Sequence, residues 1–170
     1  RRGEAVAFFT NSGVLTAINN DGWIRLDFPS QAPMLDKSPP AALTDALAAK
    51  PLFIGRSRFD YLVEVDSEQT VYELQPDFRL LQQVDARGVI VTSCSSAGEV
   101  DFVSRAFFPA IGVPEDPVTG SAHCCLGPYW ADRLGKTTLV GHQVSSRGGI
   151  VRVTVAGKRV HLEGKAVTVL

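Results

Sequence analysis

One long helical stretch, residues 121–134, stands in a chain that otherwise reads mostly as short strands, and its apolar side chains cover more than one face. Ala122, Cys124, Cys125, Leu126, Tyr129, Trp130 and Leu134 leave little of its circumference for water, so other elements must enclose it. Gly127-Pro128 inside the stretch is poor helix chemistry, because proline removes a donor and crowds the preceding turn; a kink or local break is expected there. Alternation and turn residues predict strands over 5–10, 14–19, 23–28, 52–55, 61–65, 71–74, 88–94, 101–108, 139–145, 150–155, 160–162 and 166–170. Asn11-Ser12-Gly13 and Asn20-Asp21-Gly22 mark the opening hairpins, since such residues supply the positive φ of tight turns. Ser38 with Pro39 and Pro40 reads as the cap and first turn of a short amphipathic helix over 41–49, and a second short helix is expected near 77–83. Many strands around few helices, without regular alternation, predict an α+β barrel or roll rather than a doubly wound sheet. No repeat or linker divides residues 1–170, so a single domain is expected.

Charge and cysteine usage exclude several function classes. A net charge of -1 with interspersed signs offers no basic stripe to a nucleic acid and no polybasic flank to anionic lipid. There is no apolar run of about 18 residues that could span a bilayer, and the opening Arg1-Arg2-Gly3-Glu4 does not lead into a secretory signal, so a cytoplasmic address is expected. Cys94, Cys124 and Cys125 lack paired spacing and read as buried small hydrophobes in a reducing compartment. His123, Cys124 and Cys125 are consecutive, so on a helix they point about 100° apart and cannot converge on a metal.

Chemistry concentrates in Arg105-Ala106-Phe107-Phe108-Pro109 and in Glu115-Asp116-Pro117-Val118-Thr119-Gly120-Ser121-Ala122-His123. A strand runs into a proline-rich acidic turn, and Thr-Gly-Ser then opens the long helix. Free N–H groups at a helix start, reinforced by the macrodipole, favour a carboxylate or phosphate; Gly120 lets it approach and Ser121 adds a hydroxyl. Asp116 beside that anion can accept from an amine or hydroxyl, which suits an amino or hydroxy acid. The same residues also fit a purely structural reading, with Thr119 or Ser121 as N-cap and the two acids as solvated partners of the helix dipole.

The stretch from Glu115 to Ala122, with its upstream Arg-x-Phe-x-Pro, resembles the signature of the PhzF-like family of phenazine-biosynthesis isomerases. The opening Phe8-Phe9-Thr10-Asn11-Ser12-Gly13-Val14-Leu15 and the closing Val160-His161-Leu162-Glu163-Gly164-Lys165-Ala166-Val167 resemble the family's second domain, and Ser146-Arg147-Gly148-Gly149 with Tyr129-Trp130 resembles its phenazine-biosynthesis-like-domain branch. The resemblance implies a diaminopimelate epimerase-like fold, a β-barrel or roll wrapped around a central helix, with the active site in a cleft between two such domains. It implies that Gly120 and Ser121 bind the carboxylate of a small substrate and that Asp116 is the catalytic and substrate-binding acid of this half, without metal or organic cofactor. The family's proton-transfer glutamate, in a Ser-Glu-Thr neighbourhood, and a Gly-His pair belong to an N-terminal half that nothing here matches. Gly141-His142 sits on a predicted strand and is read as structural, and the family gives Glu115 no catalytic role. No cysteine occupies the turn, which disfavours a cysteine-pair racemase. The chain is therefore expected to be inactive alone and to pair with a second copy or an N-terminal half; the rival expectation is a non-catalytic homologue that binds a small acid or a protein.

Overall fold

The computed structural model describes residues 5–10, 13–96 and 98–166. The expected turn residues Asn11 and Ser12, the start at 1–4 and the end of the final expected strand, 167–170, lie outside them. The elements are β1 (Ala5–Thr10), β2 (Gly13–Asn20), β3 (Trp23–Pro29), β4 (Met34–Leu35), α1 (Ala41–Leu47), β5 (Pro51–Arg56), β6 (Asp60–Val65), α2 (Glu68–Glu73), α3 (Phe78–Leu81), β7 (Gly88–Cys94), β8 (Phe102–Phe107), α4 (Gly120–Leu134), β9 (Thr138–Gln143), β10 (Gly149–Ala156) and β11 (Arg159–Gly164). A 3-10 turn over Pro109–Ile111 separates β8 from α4. The second hairpin turns where foreseen, with Asp21 and Gly22 both at positive φ.

One sheet runs β1-β2-β3-β11-β10-β9-β8-β7-β6-β5-β4. Its neighbours are antiparallel except β6–β7 and β8–β9, and parallel pairs need crossovers. Helices α2 and α3 make the first crossover and α4 the second, on opposite faces of the sheet. Period-2 alternation sorts the strands between these layers. Leu62, Ile90, Phe102, Leu139, Val153, Val160 and Leu162 point to α4 and form one core with Leu126 and Trp130. Tyr61, Val63, Val89, Val91, Val103 and Phe107 point the other way, against Leu43, Leu47, Val71 and Leu81. Strand β6 is consequently buried along its whole length. The fold is thus the expected α+β roll around a central helix, with β1 and β4 as open edges. No helix among the described residues is long and apolar enough to cross a membrane.

Helix α4 is continuous from Gly120 to Leu134, so the break expected at Gly127-Pro128 does not occur. Pro128 leaves the Cys124 carbonyl without its intrahelical donor, and the Gln31 N–H donates to it instead at 3.0 Å. Gly127 permits close approach to β10, since a Cβ there would lie 2.7 Å from Val153 Cγ1.

Three other expectations need correction. Residues 71–74 belong not to a strand but to α2 and its C-cap: Ser67 caps the helix by accepting from Thr70 N–H, and only Val71 of its residues is buried. Ser38 does not cap α1; Pro40 holds that position, and the Ser38 N–H donates to Asp36 Oδ1 at 2.9 Å. Cys94 is exposed at the end of β7, whereas Cys124 and Cys125 are buried as expected.

Candidate active site

The start of α4 is built by its neighbours rather than by its own cap. Thr119 is the N-cap residue but makes no side-chain capping bond. Its hydroxyl donates to Asp116 Oδ2 at 2.5 Å instead. The wholly buried Gln143 on β9 pins the turn from below. Its Oε1 accepts from Thr119 N–H at 2.8 Å, while its Nε2 donates to the Asp116 carbonyl at 2.7 Å and to Thr119 Oγ1 at 3.1 Å. Ser145 Oγ donates to the Pro117 carbonyl at 2.7 Å. The first intrahelical bond runs from His123 N–H to the Thr119 carbonyl, so the N–H groups of Gly120, Ser121 and Ala122 precede it.

The sequence-predicted trio converges only in part. Asp116, Thr119 and Ser121 line a cavity of about 180 Å³ walled by Phe108, Ile111 and Val113. Gly120 lies one step along the same helix turn. A Cβ on Gly120 would meet only Leu162 Cδ1, at 3.8 Å, and its φ is outside the left-handed region, so neither packing nor backbone conformation demands glycine here. Glu115 is withdrawn from this group: Arg105 Nε and Nη2 donate to its two carboxylate oxygens at 2.7 and 2.9 Å. Arg105 Nη1 also donates to the Leu74 carbonyl at 2.6 Å, tying α2 to the strand before the turn. His142, on β9, lies outside the residues around the cavity.

Sequence reasoning missed Arg87, which sits just before β7. Its Nε donates to Asp60 Oδ1 at 2.9 Å, a second bond joins Nη2 to Asp60 Oδ2, and Nη2 also donates to Ser121 Oγ at 3.0 Å. The hydrogen bond to buried Asp60, ahead of the opposing cost of burial, raises the Arg87 pKa from its ordinary value. Arg87 and Ser121 also border a second cavity of about 120 Å³, lined in part by Phe28, Gln31, Phe59 and Cys124. Burial pushes the thiols of Cys124 and Cys125 up to about 12, so both remain protonated near neutrality and are poor proton acceptors. Only proximity in the fold reveals Arg87 and Gln143, because they stand 34 and 24 residues from the groups they hold.

Residues 2–170 match the family described as phenazine biosynthesis-like protein. An uncharacterised isomerase of Halalkalibacterium halodurans is 54% identical over 98% of this chain and 63% of its own length. The crystal structure of a PhzF family protein from Enterococcus faecalis superposes with a TM-score of 0.87 at 40% identity, covering 95% of this chain and 61% of that one. A probable proline racemase from Agrobacterium radiobacter, 12% identical with a TM-score of 0.52, shares the fold alone. The chain therefore spans just over three fifths of the length of the first two of these relatives. With its signature turn at the head of the enclosed helix, the chain belongs to the phenazine biosynthesis-like (PhzF) family of isomerase-related proteins.

Proposed function

We propose that this chain carries the carboxylate-binding half of a cofactor-independent isomerase site for a small amino or hydroxy acid. The carrying observation is a fifteen-residue helix that starts without a side-chain cap, beside a cavity and behind a glycine the fold does not require. The amides of Gly120 and Ser121 bind the substrate carboxylate, aided by the dipole of α4. Asp116 holds the neighbouring amine or hydroxyl through Oδ1, Thr119 occupying Oδ2. Proton transfer next to the carboxylate requires an acid/base supplied by the part of the relatives' length that this chain does not span. The exposed apolar rim of Phe59, Ile111 and Val113 supports a further domain or a second copy covering the cavity.

Gly120→Ala is the direct test of the anion cradle. Helix propensity leads us to expect a thermal midpoint unchanged or raised, by up to about 1 kcal/mol of stability, because the added methyl meets only ordinary contact. Acetate titrated against the wild type should shift the Gly120 and Ser121 amide resonances and leave those positions unmoved in the variant. Equal acetate responses in both proteins would remove the cradle.

The isolated chain should also fail to exchange substrate protons. General acid–base catalysis supplies about 10²–10⁴-fold, and the chain lacks the family's glutamate motif. Deuterium from D₂O entering a small amino or hydroxy acid, and lost in Asp116→Ala, would instead make Asp116 the base and overturn the division of the site.

A further inference from the structure

We infer that Arg87 is a positioning residue for the carboxylate site: it turns the Ser121 hydroxyl into an obligate donor toward the cavity, so this end of the site takes an anionic acceptor group and rejects an ammonium. The inference rests on the carboxylate reading above and deepens it. A guanidinium carries only donors, so in the Arg87–Ser121 contact at 3.0 Å the serine oxygen must accept. Its own proton must then point elsewhere. The usual refuge for a helical serine proton is a carbonyl one turn back, and for Ser121 that is Pro117; Ser121 forms no bond to it, and its oxygen accepts instead from Ser145 Oγ at 2.7 Å. The Ser121 hydroxyl donates to no group among the described residues, and it borders both cavities.

The arginine is itself held rigid. Asp60, 2% exposed, takes both Nε and Nη2, and the Asp60 N–H is fixed by Ser57 Oγ at 3.1 Å. The Phe59 and Phe108 rings lie 5.1 and 5.4 Å from the guanidinium carbon. Asp60 neutralises the arginine, so the pair adds orientation to the site without adding net charge. An ammonium would meet a serine proton and a helix start, both positive ends of dipoles, whereas a carboxylate meets two donor types already aimed at it. Preorganised donors cost no rotamer freedom when the ligand arrives.

The test titrates acetate and, separately, ethylammonium against the chain while following the Gly120 and Ser121 amide resonances. Ser121→Ala removes the donor. Asp60→Asn with Arg87→Gln removes the positioning while keeping the pair neutral overall. Each should weaken acetate binding by about 5- to 10-fold, as expected for one charge-assisted hydrogen bond. Combining all three substitutions should cost no more than about 2-fold beyond Ser121→Ala alone, because both changes delete the same bond. The preference for acetate over ethylammonium should narrow in the Asn/Gln variant, whose serine proton is free to turn, and a merely structural loss would not move that preference. Multiplied losses in the triple variant, or wild-type affinity in the Asn/Gln variant, overturn the inference. If the Asn/Gln variant loses its dispersed spectrum, Arg87→Lys decides. It keeps the charge but cannot fork between Asp60 and Ser121, so a loss of about 3-fold or more supports the inference and wild-type affinity overturns it. A wild type whose Gly120 and Ser121 resonances ignore acetate defeats the carboxylate reading itself, a result distinct from a wild-type response that the variants leave unchanged.

Discussion

Trp130→Ala should remove about 3–5 kcal/mol of stability, the cost of emptying a large buried aromatic site. Trp130 is 2% exposed in the C-terminal part of α4. Its ring stacks on Phe102 at 5.9 Å with 7° between planes and meets Tyr129 edge-on at 5.4 Å. Its Nε1–H donates to Thr92 Oγ1 at 3.0 Å, and that buried hydroxyl donates in turn to the Val103 carbonyl at 2.7 Å. One side chain therefore joins the helix to β7 and β8 through packing and a polar chain. Domains of this size have about 5–15 kcal/mol in total, so the variant should be partly unfolded at physiological temperature. Urea unfolding should show a lower midpoint at an unchanged m-value, with Trp130→Phe falling between the two proteins. A midpoint within about 0.5 kcal/mol of wild type would mean that α4 is not the organising centre of the core.

Acid should destabilise the chain through His123. The ring is wholly buried. Its Nδ1 lies 2.8 Å from the Thr119 carbonyl and so must be the protonated nitrogen, while Nε2 has no partner among the described residues. Burial lowers the pKa from 6.5 to about 4, outweighing the opposing bond to Thr119. Because the folded value lies below the unfolded one, the unfolded chain takes up the proton first. The stability concerned is present above about pH 6.5 and drains away as pH falls toward 4, amounting to about 3 kcal/mol over that window. His123→Asn keeps a donor for Thr119 but does not titrate. Between pH 7 and pH 4.5 the wild type should lose about 2–3 kcal/mol more than this variant in urea unfolding. Parallel losses in the two proteins would show that His123 is not the acid-sensitive group.

The parts of this protein that were legible in the sequence are those whose signal is local. The apolar circumference of 121–134 required an enclosed helix, and enclosure is what the roll supplies. The hairpin at Asp21-Gly22 follows from residues that tolerate positive φ. Asp116, Thr119 and Ser121 were readable as a group because one turn carries all three to the same cavity wall. Errors arose where a short window satisfies two periods, as at Val71–Leu74, or where a neighbour repairs a local defect. Pro128 should interrupt a helix, yet Gln31, from a distant loop, takes up the carbonyl it orphans. Cys94 was expected inside because cysteine usually is, but it ends β7 beyond the cover of either helical layer.

The sequence by itself determined the strand-rich roll, its central helix and the acidic turn that opens it, because periodicity, turn chemistry and a contiguous motif are properties of adjacent residues. Only the tertiary structure decided which groups work on that turn. Glu115 is taken by Arg105 rather than offered to a ligand, Gln143 pins the turn that precedes the helix, and Arg87, just before β7, orients Ser121 from 34 residues away. The physical reason is that a hydrogen bond is decided by distance and direction in space. The β6–β7 and β8–β9 crossovers bring Asp60 of β6, Arg87 from just before β7, Ser121 of α4 and Gln143 of β9 to one region, and no spacing along the chain encodes that meeting.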